Sequence, residues 1–381
     1  MQSFAWGPGN PLGNFAAAPG FGAQAVYLLL AIFVAGKFYA VFALLFGHGL
    51  TLQTRRMLRL ARGRRAVATR MYLRRLAFLL AVGALHAVLL YFGDILVTYA
   101  LCALVPLALA WARTRTLLRA TRAAWIAAAA GLLWMRALDS LAGGDASDAI
   151  AAAIARARTI YVTAGYFGQL PQRIDDALGL FGAGFWLAAV QVVALMLLGA
   201  LAARLGWLRR PQRHPRLWRT AARVGLGVGL PCALLGGWLN LRATRAAPDG
   251  GFGPDALLLA ASTLLTFAYL AAAVRWRASP FMRRALRWLA PAGRMPLTNY
   301  LAQSLAMGAL LSGWGLGLAA HATAPELALG AIAFFVAQLL ASRVLLARVG
   351  QGPLEALWRR ATYGAGTGRV SATSCCRPAG P

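Results

Sequence analysis

RRLAFLLAVGALHAVLLYFGDIL, residues 74–96, opens on two arginines, runs from Leu76 to Gly93 without a charged side chain, and closes near an aspartate. Such a run is about long enough to cross a hydrocarbon core of roughly 30 Å as a helix, and the arginines mark where it leaves the bilayer. Similar runs recur along the 381 residues. They predict nine membrane helices, at 25–52, 73–92, 94–112, 118–138, 176–203, 218–240, 255–275, 296–318 and 326–348. The composition agrees. Hydrophobic residues make up 60% and charged residues 13%, against roughly 45–50% and about 25% in soluble domains. A typical cytosolic enzyme and a disordered chain are both excluded. The expected fold is an all-α polytopic bundle over residues 24–364, between an uncharged segment 1–23 and a disordered tail 365–381.

The formal charge of +29 raises nucleic-acid binding, which needs basic residues gathered on one exposed face. Here they punctuate the apolar runs. Nine arginines fall in 53–75, four in 113–122, six in 204–219 and six in 275–294, all alternate loops, while four of the ten acids sit in 139–175. The positive-inside rule makes those arginine loops and the C-terminus cytoplasmic. No nucleic-acid partner is expected. Four cysteines, Cys102, Cys232, Cys375 and Cys376, have no spacing for a disulfide framework or zinc site. No signal peptide is visible at the N-terminus. An uncharged start on the outside suggests that a further helix precedes Met1.

Ionisable groups inside membrane helices are costly and therefore mark candidate sites. His86 stands 11 residues after Arg75, which returns to within about 20° of the same helix face, roughly 16 Å along the axis. That stripe suits a ligand with phosphates at the surface and a reactive end on a thin arm, as in acyl-coenzyme A. Arginine grips phosphate and a neutral histidine takes a proton. The alternative is a histidine bonded to a neighbouring helix. Small Gly83, Ala84 and Ala87 leave room beside it. Asp94 either caps the next helix or orients His86. Lys37, the only lysine, either snorkels to the outer surface or serves as a deprotonatable amine. Arg294 precedes Pro296 at the positive end of a helix, a candidate phosphate site. Asn299 and Gln303, like Tyr300 and Ser304, are four apart and direct a polar stripe inward. No nucleotide loop, zinc-protease motif or nucleophile elbow is present.

The stretches GKFYAVFALLFGHGL (36–50), RRLAFLLAVGALHAVLLYFGDIL (74–96), GRMPLTNYLAQS (293–304), GWGLGL (313–318) and GPLEALWRRATYG (352–364) resemble the YeiB family of bacterial membrane proteins, built on domain of unknown function 418. That family looks related to the transmembrane acyltransferases, among them lysosomal heparan glucosaminide N-acetyltransferases and bacterial surface-polysaccharide acyltransferases. The resemblance implies acyl transfer from cytoplasmic acyl-coenzyme A to an extracytoplasmic glycan or lipid acceptor. Arg75 and His86 look like the group's recurring basic residue and membrane histidine. The group's usual first helix, with an Asp and an Arg-Gly, has no match here. On this reading Arg74, Arg75 and Arg294 hold the coenzyme, His86 is the base, Asp94 assists it, and Lys37, Asn299 and Gln303 line the channel. No tightly bound cofactor or metal is expected. A transporter using the same buried groups and a non-catalytic scaffold are the competing readings.

Overall fold

Residues 20–141, 145–179, 183–246, 255–318 and 321–363 are described by the computed structural model. The expectations for 1–19, for the tail 365–381 and for Cys375 and Cys376 lie outside them. The described residues contain helices and no strand. In chain order the helices are α1 Phe21–Phe33, α2 Lys37–Leu60, α3 Arg65–Leu89, α4 Leu96–Cys102, α5 Leu104–Ala108, α6 Thr114–Leu141, α7 Asp145–Thr163, α8 Leu170–Gly179 and α9 Ala183–Leu205. There follow α10 Pro215–Val224, a π-helical turn Gly225–Gly229, α11 Leu230–Ala246, α12 Asp255–Trp276, α13 Pro280–Gly293, α14 Pro296–Leu311, α15 Ala324–Val349 and α16 Pro353–Tyr363.

Six spans among the described residues are long and apolar enough to cross a bilayer: α1 with α2, α3, α9, α10 with α11, α12, and α15. The chain is a multi-pass membrane protein. The nine expected spans are thus reduced, and the sequence shows why. Residues 94–112 break after Cys102, where Pro106 crowds the carbonyl four residues before it. The run 296–318 stops being α-helical after Leu311, because Gly313, Gly315 and Gly317 turn the chain. Helix α6 covers 118–138 but carries too many arginines and too little hydropathy. Residues 176–179 belong to α8 rather than to the following span, and much of the presumed loop 139–175 is helix α7.

The first run is also broken. Gly36 adopts φ 76°, a left-handed conformation open to glycine, so α1 ends and α2 starts afresh. In lipid the freed carbonyls need partners from the protein itself. The Lys37 ammonium reaches back to Ala31 O at 2.6 Å. One polar face of α12 supplies two more donors: Tyr269 donates to Phe33 O at 2.9 Å and Ser262 to Ala35 O at 3.1 Å. Lys37 is 0% exposed, so it does not snorkel. Its charge is spent on the negative end of α1.

The centre of the bundle is the crossing of α2 and α9. A Cβ added to Gly47 would fall 1.9 Å from Met196 O, and one on Gly199 would fall 1.9 Å from Leu44 O. Each helix thus presents a glycine to the other's backbone, the close approach by which membrane helices gain packing without a hydrophobic driving force. Leu50, Met57, Leu195 and Met196 fill the adjoining core together with Tyr72 of α3 and Tyr99 of α4.

Candidate functional site

Helix α3 runs from the arginine-rich end of the bundle to the opposite end, and His86 lies one turn before its last residue. Beyond it, Tyr91-Phe92-Gly93 turns the chain into α4, which places Asp94 against the histidine. Asp94 Oδ1 lies 2.8 Å from His86 Nδ1, while Asp94 Oδ2 accepts the Val97 N–H at 2.7 Å. Both expected roles of Asp94 are therefore present at once: it holds the first turn of α4 and faces the imidazole. The space that Gly83 leaves is occupied, since a Cβ there would lie 2.7 Å from Asp94 Oδ2. The expected room beside His86 is a seat for the carboxylate.

The other ring nitrogen meets α14. His86 Nε2 lies 2.7 Å from Ser304 Oγ, and Tyr300, one turn earlier on α14, donates its hydroxyl to Asp94 Oδ1 at 3.2 Å. The Tyr300 ring packs on the imidazole at 4.8 Å between centroids. A carboxylate only accepts, so with Asp94 ionised Nδ1 carries the ring proton and Nε2 presents its lone pair to the Ser304 hydroxyl. His86, Asp94 and Ser304 are 2%, 8% and 5% exposed, so water does not compete for these bonds. Ser304 and Tyr300 were visible only as members of an inward polar stripe. The Ser304 contact with His86 spans 218 residues of sequence and the Tyr300 contact with Asp94 spans 206, which no local pattern announces.

The other expected site residues are dispersed. Arg75 is half-buried with its guanidinium carbon 3.4 Å above the Trp358 ring, and Trp358 Nε1 donates to Arg75 O at 3.1 Å. Helix α16 is thereby pinned to α3 at the arginine-rich end. Arg74 beside it is exposed, as is Arg294. The N-terminus of α14 does not stand open to a phosphate. Glu355 of α16 accepts the N–H groups of Leu297 at 2.7 Å and Thr298 at 3.1 Å, together with the Thr298 hydroxyl at 2.5 Å. This carboxylate already answers the positive end of the helix. Asn299 donates to Ala292 O and accepts from Ser342, both at 3.1 Å, so it ties α13 and α15 to α14 rather than lining a channel. Gln303 is half-buried on α14, and Lys37 belongs to the break between α1 and α2, apart from His86.

A second polar cluster covers the His86 end of α3. The last carbonyls of a helix lack intrahelical donors, and Leu89 O receives both the Tyr166 hydroxyl and Arg173 Nη1 at 2.8 Å. Tyr161 donates to Asp176 Oδ2 at 2.7 Å, and Gln169 accepts from Arg173 at 2.8 Å and from Ser312 at 2.9 Å. This network seats α7 and α8 on α3 and on the turn after α14. Burial pushes the Asp176 carboxyl above the usual carboxylate range, with neighbouring Asp175 adding to the rise. Burial and Asp176 both push the Tyr161 hydroxyl up, so it stays a proton donor. A raised folded-state value favours the protonated carboxyl. Its stabilising contribution is full below the ordinary carboxylate range and declines as pH rises through the raised value. Asp176→Asn should therefore match the wild type in thermal melting at acidic pH and melt higher at neutral pH. Parallel melting curves at both pH values would count against this.

Among the described residues no group of three His, Cys, Asp or Glu could hold a metal ion. A cavity of about 310 Å³ between α2, α9, α10 and α12, lined by Leu44, Trp207, Leu217, Val224, Leu264 and Phe267, is almost wholly apolar and contains none of the residues above. The convergent polar groups expected of a reactive site are at His86.

Residues 202–365, which include Tyr300, Ser304, Glu355 and Trp358, match the family described as "Protein of unknown function (DUF418)". That part of the chain is similar to the DUF418 family. The chain is similar to the uncharacterised protein YxaH of Bacillus subtilis (strain 168), 28% identical over 348 residues, covering 88% of this chain and 81% of that one. It is likewise similar to the uncharacterised protein YeiB of Escherichia coli (strain K12), 29% identical over 355 residues, covering 89% and 84%. The YeiB resemblance read from short motifs therefore extends over most of the chain. No solved structure matches. His86 and Asp94 lie outside the matched domain, so the candidate site joins it to the N-terminal helices.

Proposed function

We propose that this membrane protein transfers an acyl group from a cytoplasmic acyl-coenzyme A to a glycan or lipid acceptor on the other side of the plasma membrane. The reading is carried by the Asp94–His86–Ser304 chain, a proton acceptor held in one tautomer and buried in the bundle. General-base work needs that arrangement, with the base aimed at a hydroxyl and oriented from behind. The arginine-rich end faces the cytoplasm by the positive-inside rule, as does the C-terminus. There the exposed Arg74 and the half-buried Arg75 offer charge to the coenzyme's phosphates. Eleven helical residues separate Arg75 from His86, roughly 16 Å, a distance suited to a long thin arm.

The test is calorimetric binding of acetyl-coenzyme A to the detergent-purified full-length protein, beside Arg75→Ala and His86→Ala. Binding by the wild type that Arg75→Ala weakens at least tenfold and His86→Ala leaves intact is the expected result. A well-folded wild type that binds no coenzyme would overturn the reading. One observation favours transport instead: α1 and α2 form a discontinuous helix with a buried lysine at the break, a device of transporters. Solute-driven proton flux in liposomes that Lys37→Met abolishes would establish that alternative.

A further inference from the structure

We propose that Ser304 is the nucleophile of this site and carries the acyl group as an ester between donor and acceptor, an inference that rests on the acyl-transfer reading above. The hydroxyl's own bonding points this way. Inside membrane helices a serine or threonine ordinarily returns its hydroxyl to the carbonyl four residues back. Thr54 and Thr121 do so, at 2.9 and 2.7 Å. Ser304 is directed across the bundle to His86 Nε2 instead. Behind His86 stands Asp94, itself fixed by the Val97 N–H and the Tyr300 hydroxyl. Nucleophile, base and orienting carboxylate are thus in hydrogen-bond sequence on α14, α3 and the turn before α4, the relation recognised by geometry rather than by order in the chain. A hydroxyl needed only to tie two helices together has no use for a carboxylate behind its partner. One turn beyond Ser304, Gly308 leaves space that the Trp314 indole fills, 2.8 Å from where a Cβ would stand. Trp314 belongs to the glycine-rich turn after α14.

The steps balance without a further reagent. Ser304 Oγ attacks the carbonyl carbon of the acyl thioester while His86 Nε2 takes the hydroxyl proton. The new C–O bond forms, the C–S bond breaks, and the proton passes from Nε2 to the leaving thiolate as free thiol. An acceptor hydroxyl or amine then attacks the ester and gives its proton to Nε2. Ser304 Oγ leaves and recovers that proton.

The experiment treats full-length protein in detergent with two probes, acetyl-coenzyme A and a fluorophosphonate, and locates any adduct by peptide mass spectrometry. The expected result is an adduct on Ser304 with both, absent in Ser304→Ala and lowered at least a hundredfold in rate in Asp94→Asn. Fluorophosphonate labelling of Ser304 that depends on Asp94, with no acetyl adduct and no coenzyme binding, would keep the nucleophile and sink the coenzyme as donor. Transfer from acetyl-coenzyme A that Ser304→Ala leaves at the wild-type rate would overturn the ester and keep the acyl-transfer reading. Failure of both probes to label Ser304 in a folded wild type would overturn the proposal.

Discussion

Asp94→Asn should lower the acyl transfer proposed above by about a thousandfold or more while leaving the protein folded. The substitution is chosen because Asp94 does two things. Its Oδ2 holds the first turn of α4 through the Val97 N–H, and an amide oxygen keeps that bond. Its Oδ1 accepts from His86 Nδ1 and from Tyr300, and an amide nitrogen in that place donates instead. The imidazole must then accept at Nδ1 and carry its proton on Nε2, where it can no longer take one from Ser304 or an acceptor. Asp94→Ala would confuse the two roles by removing the cap as well, at roughly 1 kcal/mol. Steady-state transfer and thermal melting, measured on the same preparations, separate them. Transfer by Asp94→Asn within tenfold of wild type would mean that the carboxylate serves only α4.

The largest effect on stability should come from Gly199→Val, which is expected to cost at least about 3 kcal/mol and to cut the yield of monodisperse protein. At Gly199 the intruding Cβ meets the Leu44 carbonyl, and the reciprocal contact at Gly47 meets that of Met196. Neither neighbour is a flexible side chain that can step aside. Relief needs the two helices to separate, and with them the cluster of Leu50, Leu195 and Met196. Gly330→Ala on exposed α15 is the control, because a Cβ there has nothing within 4 Å. It should be neutral or slightly stabilising, by up to about 1 kcal/mol. Equal melting of Gly199→Val and wild type in detergent would refute the packing argument.

What could be read from the sequence follows the range of the interactions. The all-helical membrane fold, α3 and the Arg75–His86 stripe rest on local periodicity and composition, and both roles of Asp94 are contacts within a few residues. Hydropathy does not see the break at Gly36, because the apolar run continues through it. Only the Gly-Lys pair hinted at it. The break after Cys102, signalled by Pro106, and the stop at the glycines after Ser312 carried conventional signals that the window of apolar residues overrode. Ser304 at His86 and Glu355 at the start of α14 are long-range pairings, 218 and 57 or 58 residues apart. Such pairs are set by how helices pack, which the sequence of one helix does not contain.

The break between α1 and α2 also sets an order of events during biosynthesis. The Ala35 carbonyl finds its partner in Ser262, 227 residues further along the chain. At translation rates of about 5–20 residues per second, that partner emerges roughly 10–50 s after the break itself. Until then the carbonyls of Phe33 and Ala35 have only water or the translocon as donors. The first two helices must therefore wait beside the insertion machinery, or be held by it, until α12 arrives. A ribosome stalled before α12 should leave this region open to proteolysis or thiol labelling, and resumed synthesis should close it.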